Sequence, residues 1–221
     1  MVDELSIGLV NLGQKCTVIS PYYERNRKGQ TGYLANDPAG IRFKMNLTVT
    51  VGGQTVTLGV HEGIERGVRV VFLHNGEVFP APYQGGSAGA VVFQIAVFNK
   101  ACLEYLCQNR IKPSVCVTND WFTGLMAGYR NARKFGDYFD GTKFLHICHN
   151  LQETYEGRIH PHNHEGDLNR VHDLPREWFS DGGNMINPSK CAIMQSDTWA
   201  TVSLSYREEL LGGSSLAHLL K

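Results

Sequence analysis

From Met1 to Leu12, apolar positions recur at helical spacing, with Val2, Leu5, Leu9 and Leu12 on one side, and Gly13 follows where a helix commonly stops. The spacing predicts a helix over this stretch. Cys16-Thr17-Val18-Ile19-Ser20 is a short apolar run closed by Pro21, the pattern of a buried parallel strand. Between Ile41 and Leu73 the period changes to two. Leu47, Val49 and Val51 alternate with polar residues, Gly52-Gly53 turns the chain, and Val56, Leu58 and Val60 alternate back. A hairpin is predicted there, followed by a strand at Val68–Leu73 that is apolar enough to enter a covered sheet. His74 to Gly89 holds Pro80, Pro82 and four glycines and reads as a long loop, a kind often retained for function.

Beyond that loop, Val92, Ile95, Ala96, Ala101, Cys102, Tyr105 and Leu106 mark a helix over Val91–Leu106, with Ser87 placed to cap it. A strand at Ser114–Thr118, a helical stretch from Trp121, a strand at Lys143–Cys148 and a polar loop to about Asp181 come next. A helix near Asn187–Met194, a strand at Thr198–Ser203 and a helix from Tyr206 complete the chain. Strands alternating with helices predict an α/β fold, a Rossmann-like doubly wound and mostly parallel sheet with an added β-hairpin, and 221 residues suit one sizeable core.

Composition narrows the function. Twenty-one Lys and Arg balance 21 Asp and Glu, and 42% of residues are apolar, so a nucleic-acid scaffold or an acidic tail is not expected. No stretch approaches the ~18 continuous apolar residues of a bilayer span, and Met1-Val2-Asp3-Glu4 lacks the basic start of a signal peptide. A soluble intracellular protein without nucleic-acid or membrane partners is expected. The six cysteines show no C-x-x-C pair and read as reduced, buried thiols.

In doubly wound sheets, ligands bind beyond the carboxyl ends of the strands. Two predicted strands end in unusually polar residues, Asn119-Asp120-Trp121 and His149-Asn150. Each has a structural alternative: Asp120 before a helical run makes a good cap, and His149 could be a hydrogen-bonded core residue. Gly85-Gly86-Ser87-Ala88-Gly89 fits G-x-S-x-G, with Asp120 and His149 following in the order of an α/β-hydrolase triad. That motif needs a strand directly before the serine, and Pro80 and Pro82 argue against one. His160, His162, His164 and Glu165 are spaced like metal ligands, but their segment is polar and loop-like and reads as solvated. No metal or cofactor is expected.

Four segments together resemble the glycogen and starch synthases of the bacterial and plastid type. Thr17-Val18-Ile19-Ser20-Pro21-Tyr22-Tyr23 is similar to the stretch after their first helix, and Asn119-Asp120-Trp121-Phe122-Thr123-Gly124-Leu125 to their H-D-W-x-T/A-G-L segment. His149-Asn150-Leu151 with Tyr155-Glu156-Gly157 resembles I-H-N-L-x-x-x-G, and Asp197 to Tyr206 resembles A-D-x-V-T-T-V-S-P-T-Y. The order and spacing fit over nearly the whole chain. Asn119 stands where the family has histidine, Cys148 where a small or β-branched residue is common, and Leu204 where it has proline.

The resemblance implies one half of a two-domain GT-B type glycosyltransferase. Residues 1–221 would be the N-terminal, acceptor-side catalytic domain; the chain begins after the family's K-x-G-G-L loop and ends before its C-terminal nucleotide-sugar domain. The implied reaction moves glucose from ADP-glucose or UDP-glucose to the non-reducing end of an α-1,4-glucan with retention of configuration, without a metal, in the cytoplasm or a plastid. By this likeness Asp120 and His149 are the catalytic residues, and Asn187, Asn150, Trp121, Tyr83 and Tyr155 contact substrate. The chain alone would not turn over. A non-catalytic α-glucan-binding module descended from such a domain is the non-enzymatic alternative, and a small α/β-hydrolase is a third.

Overall fold

The computed structural model describes residues 2–24, 40–82, 87–152, 155–160, 173–182 and 185–220. The chain divides into two compact units, Met1–Val49 with Thr55–Gly85, and Thr50–Gln54 with Gly86–Lys221.

The first unit holds helix α1 (Val2–Asn11), strands β1 (Thr17–Tyr22) and β4 (Val68–His74), and all but the hairpin tip of strands β2 (Arg42–Val51) and β3 (Gln54–Glu65). They form a sheet of order β1-β4-β3-β2, with β1 parallel to β4 and β3 antiparallel to it. The two-residue period of the sequence is the burial pattern: Leu47, Val49, Val51, Val56, Leu58 and Val60 are all buried, while the intervening residues face outward. Gly52 and Gly53 both adopt positive φ, 55° and 77°, the conformation a tight two-residue hairpin turn demands. Pro21 lies inside β1 and does not close it. Among the described residues β1 pairs with β4 and with no other strand, an edge position of the kind where proline is tolerated.

The second unit begins with α2 (Ala88–Gln108), which Ser87 caps by accepting from Ala90 N–H at 3.3 Å. There follow β5 (Val115–Asn119), a single 3₁₀ turn (Trp121–Thr123), α3 (Met126–Asn131), β6 (Lys143–Cys148), α4 (Arg176–Phe179), β7 (Ser180–Asp181), β8 (Met185–Ile186), α5 (Pro188–Gln195), β9 (Thr198–Thr201) and α6 (Leu204–Gly213). Strands β5, β6 and β9 form an all-parallel sheet of that order, and β7 pairs antiparallel with β8. By length and composition α2 could cross a membrane, but most of its apolar residues, among them Val92, Ile95, Phe98, Leu103 and Tyr105, are buried inside the protein.

The α/β class with parallel pairing is the one the alternation implies. The strands are hydrogen-bonded in two main sheets, one mixed and one parallel, a partition that alternation alone does not encode, because a covered strand shows the same apolar run in either. Parallel pairing brings the carboxyl ends of β5, β6 and β9 to one side, with Asn119 level with Ile147 and Cys148 level with Thr201.

Candidate active site

Asp120 follows the last residue of β5 with φ 51° and ψ −174°, a region occupied almost only by glycine and costing a side-chain-bearing residue about 1–3 kcal/mol. Its neighbours hold it there. Asp120 N–H donates to the Ile147 carbonyl at 3.0 Å. Thr123 Oγ1 accepts from Asn119 N–H at 2.7 Å and donates to the Asn119 carbonyl at 2.8 Å.

This backbone turns the carboxylate toward the end of β6, where Oδ1 accepts from the N–H groups of His149 at 2.7 Å and Asn150 at 3.3 Å. Two successive N–H groups form an anion cradle, here filled by a side chain of the protein. Asp120 does not cap the helical turn that follows it; its side chain makes no cap bond. His149 is half-buried, with Nε2 2.9 Å from Asn119 Oδ1. Asn150 Oδ1 accepts from Gln152 N–H at 2.9 Å, and Leu151 N–H donates to Tyr206 OH at 2.8 Å.

The flanking residues explain why this loop faces outward. Cys148 and Leu151 are buried in a cluster with Ile193, Leu210, Leu216 and Leu220, so His149 and Asn150 between them are held at the rim. Thr201 Oγ1 donates to the Cys148 carbonyl at 2.7 Å and fixes the same corner from β9. Burial, and then the Asp120 charge, push the Cys148 thiol up to about 12, so it stays neutral. Beneath the rim His146 is fully buried, with Nδ1 2.9 Å from Thr118 Oγ1; burial, with His149 adding to it, brings its pKa down to about 4.

Two glycines set the walls around this corner. A Cβ on Gly124 would lie 2.3 Å from the Pro188 carbonyl oxygen, and one on Gly157, which has φ +78°, would lie 2.3 Å from Trp121 Cβ. Trp121 is therefore half-buried under the 155–159 segment, its ring edge-on to Phe122 at 5.7 Å. Tyr155, two residues before Gly157, is 58% exposed.

A family model described as "starch synthase catalytic domain" matches residues 1–221. This chain belongs to that family. A glycogen synthase of Lachnospira eligens is 28% identical over 176 residues, covering 76% of this chain and 35% of its own. Starch synthase 1, chloroplastic/amyloplastic, of Arabidopsis thaliana is 29% identical over 247 residues, covering 98% of this chain and 36% of its own. The chain thus spans about a third of the length of these relatives. Among solved structures, the catalytic domain of starch synthase IV from Arabidopsis thaliana bound to ADP and acarbose matches with a TM-score of 0.75 at 22% identity, over 93% of this chain and 41% of that one. That likeness shows the fold.

In this starch synthase family chain, Asp120, His149 and Asn150 converge, and Trp121 and Tyr155 lie on the adjoining segments. Tyr83 falls outside the described residues, as do His162, His164 and Glu165. Among the described residues no group of three or more His, Cys, Asp or Glu is placed to hold a metal ion. Ser87 serves as the α2 cap.

Asn187 is fully buried, and both ends of its amide are engaged. Oδ1 caps α5 by accepting from Lys190 N–H at 3.1 Å, and Nδ2 donates to Asp181 Oδ2 at 3.0 Å. Asp181 also accepts from Arg158 Nε at 3.0 Å, and Arg158 pairs with the fully buried Glu156. Burial opposes ionisation of Asp181, but Asn187, Gly182 N–H and Arg158 together hold its pKa below the usual range. Asn187 thus ties the start of α5 to the 155–159 segment.

The residues that sequence reasoning did not single out are Thr123, His146 and Tyr206. Tyr206 carries a signal, since it ends the segment resembling T-V-S-P-T-Y, but nothing in its spacing tells that its hydroxyl reaches the His149 loop.

Proposed function

We propose that this chain is the acceptor-side half of a glucosyltransferase that moves glucose from a nucleotide diphosphate-glucose to the non-reducing end of an α-1,4-glucan, with retention. One observation carries the reading: the Asp120 carboxylate is clamped across the His149 and Asn150 amides at the shared end of two parallel strands, on a strained backbone. Strain of this kind persists where the surrounding structure over-determines it, which is characteristic of active sites. Membership of the starch synthase catalytic domain family supports the chemistry, and the ADP on the starch synthase IV domain favours ADP-glucose over UDP-glucose.

In such a transfer, negative charge grows on the departing diphosphate while positive charge grows on the sugar ring. Asp120 Oδ2, the His149 ring and the Asn150 amide offer acceptors and donors suited to sugar hydroxyls, and their fixed backbones orient the glucosyl group at little entropic cost. Trp121 and Tyr155 present aromatic surface for glucan rings. Asn187, with both ends of its amide engaged by Lys190 N–H and Asp181, holds the start of α5 rather than facing sugar. The groups that meet the diphosphate belong to a second, nucleotide-sugar domain.

Calorimetric titration of the 221-residue chain with maltoheptaose, run beside an assay of glucose transfer from ADP-glucose, tests this. Measurable glucan binding with negligible transfer is expected from the chain alone. Robust transfer by the chain alone, or an absence of glucan binding, contradicts the division of labour.

A further inference from the structure

Asn119 occupies the position where the family pattern has histidine, and its Oδ1 lies 2.9 Å from Nε2 of His149. A carboxamide oxygen accepts hydrogen bonds and has no hydrogen to give, so this contact requires the hydrogen to sit on Nε2. A neutral imidazole carries a single N–H, and Nδ1 is then left with its lone pair. Nδ1 has no hydrogen-bond partner among the described residues.

The contact is built on two pinned backbones. Asn119 is locked by the reciprocal pair it makes with Thr123 Oγ1, at 2.7 Å and 2.8 Å. His149 is locked by its N–H to Asp120 Oδ1 at 2.7 Å, and its loop by the Leu151 bond to Tyr206. Neither side chain needs to search for the other, so the pair costs little ordering entropy beyond two side-chain torsions apiece.

We propose that Asn119 is a positioning residue that holds His149 in the Nε2–H tautomer, so that Nδ1 serves as an acceptor for a hydroxyl group of the bound sugar. The tautomer half stands on the placement of Asn119 Oδ1, rather than Nδ2, toward Nε2; the sugar half rests on the glucosyl-transfer reading. A histidine at position 119 offers a ring nitrogen that can either donate or accept, whereas the asparagine oxygen commits its partner to donating. Were the carboxamide turned over, its Nδ2 would face Nε2 and the opposite tautomer, Nδ1–H, would follow.

Long-range ¹H–¹⁵N correlation spectra of the histidine-labelled 221-residue chain, recorded where the imidazoles are neutral, read this directly. His149→Gln supplies the assignment. The expected result is a pyrrole-like Nε2 and a pyridine-like Nδ1 for His149, changing to an averaged pattern in Asn119→Leu and in Asn119→Ala, either of which suffices if the other fails to fold. An Nδ1–H or already averaged pattern in the unaltered chain overturns the proposal, as does an unchanged pattern in both variants. Adding ADP-glucose to a polypeptide that carries this chain together with a nucleotide-sugar-binding domain separates the two halves. A shift confined to His149 Nδ1 supports the acceptor role. ADP-glucose that binds without moving that resonance overturns the role while the tautomer stands, and ADP-glucose that does not bind counts against the proposed function.

Discussion

Asp120 and His149 are joined through side chain and backbone: the Asp120 carboxylate oxygen accepts from the His149 amide at 2.7 Å, while the Asp120 backbone sits at φ 51°. Replacing the carboxylate removes the acceptor for two amides but leaves the strain in place. Asp120→Ala is expected to cost about 2–3 kcal/mol in chemical denaturation. Asp120→Asn retains the acceptor oxygen and is expected to cost under about 1 kcal/mol. Asp120→Gly relieves the backbone and is expected to be more stable than Asp120→Ala by about 1 kcal/mol, the reverse of the usual ranking of these residues. A glycine variant no better than alanine would show that the backbone there is unstrained.

His146 gives the fold a dependence on mildly acidic pH. It is neutral in the folded chain with a pKa of about 4, whereas an unfolded histidine takes its proton near 6.5. Between these values the unfolded chain binds more protons, so the stability that His146 confers is complete above pH 6.5 and is lost as pH falls toward 4, by about 3 kcal/mol at most. The slope of unfolding free energy against pH in this window is expected to flatten in His146→Asn; an unchanged slope would mean that other groups carry it.

Asp197 acts in a lower window. Burial opposes its ionisation, but Phe144 N–H at 2.9 Å, Lys143 at 3.0 Å and Arg130 at 2.9 Å together bring it to about 2. Its contribution is present above the unfolded value near 4 and disappears as pH falls through 2, about 1–2 kcal/mol after solvent screening. Asp197→Asn is expected to remove that acid limb and leave the limb above pH 4 unchanged, as measured by denaturant midpoints at pH 5, 4, 3 and 2.

Glycine-to-alanine exchanges are expected to split sharply by position. Gly124→Ala and Gly157→Ala drive a methyl into Pro188 and Trp121 and are expected to cost over about 3 kcal/mol each or to prevent folding. Gly212→Ala, in α6 with nothing within 4 Å of the added carbon, is expected to stabilise by about 0.5–1 kcal/mol. Thermal midpoints of the three variants decide the matter.

Most elements announce themselves in the chain. The two-residue period over Leu47–Val60, the apolar runs at Val68 and Lys143, and the Ser87 cap all appear where their local chemistry places them. The strand that starts in the run at Cys16–Ser20 extends to Tyr22, past the proline that reads as its end, because among the described strands β1 lies at the edge of its sheet, which sequence does not display. The strand ends that carry Asp120 and His149 stand out by polarity. What polarity does not convey is direction: that Asp120 faces backbone amides, that Asn187 is consumed in capping and in Asp181, and that Tyr206 reaches across from α6 all depend on contacts distant in sequence. Periodicity reports which side of an element is buried, and such pairings lie beyond its reach.

The claim that the Asp120–His149 rim orients the transferred sugar is tested most directly by steady-state transfer from ADP-glucose to maltoheptaose, in a polypeptide carrying this chain together with a nucleotide-sugar-binding domain. His149→Ala is expected to lower kcat by at least about 100-fold, the scale of losing one preorganised polar contact to a transition state, with little change in KM for the glucan. A variant whose kcat stays within about twofold of the parent, a difference of under 0.5 kcal/mol in the barrier, would contradict the account.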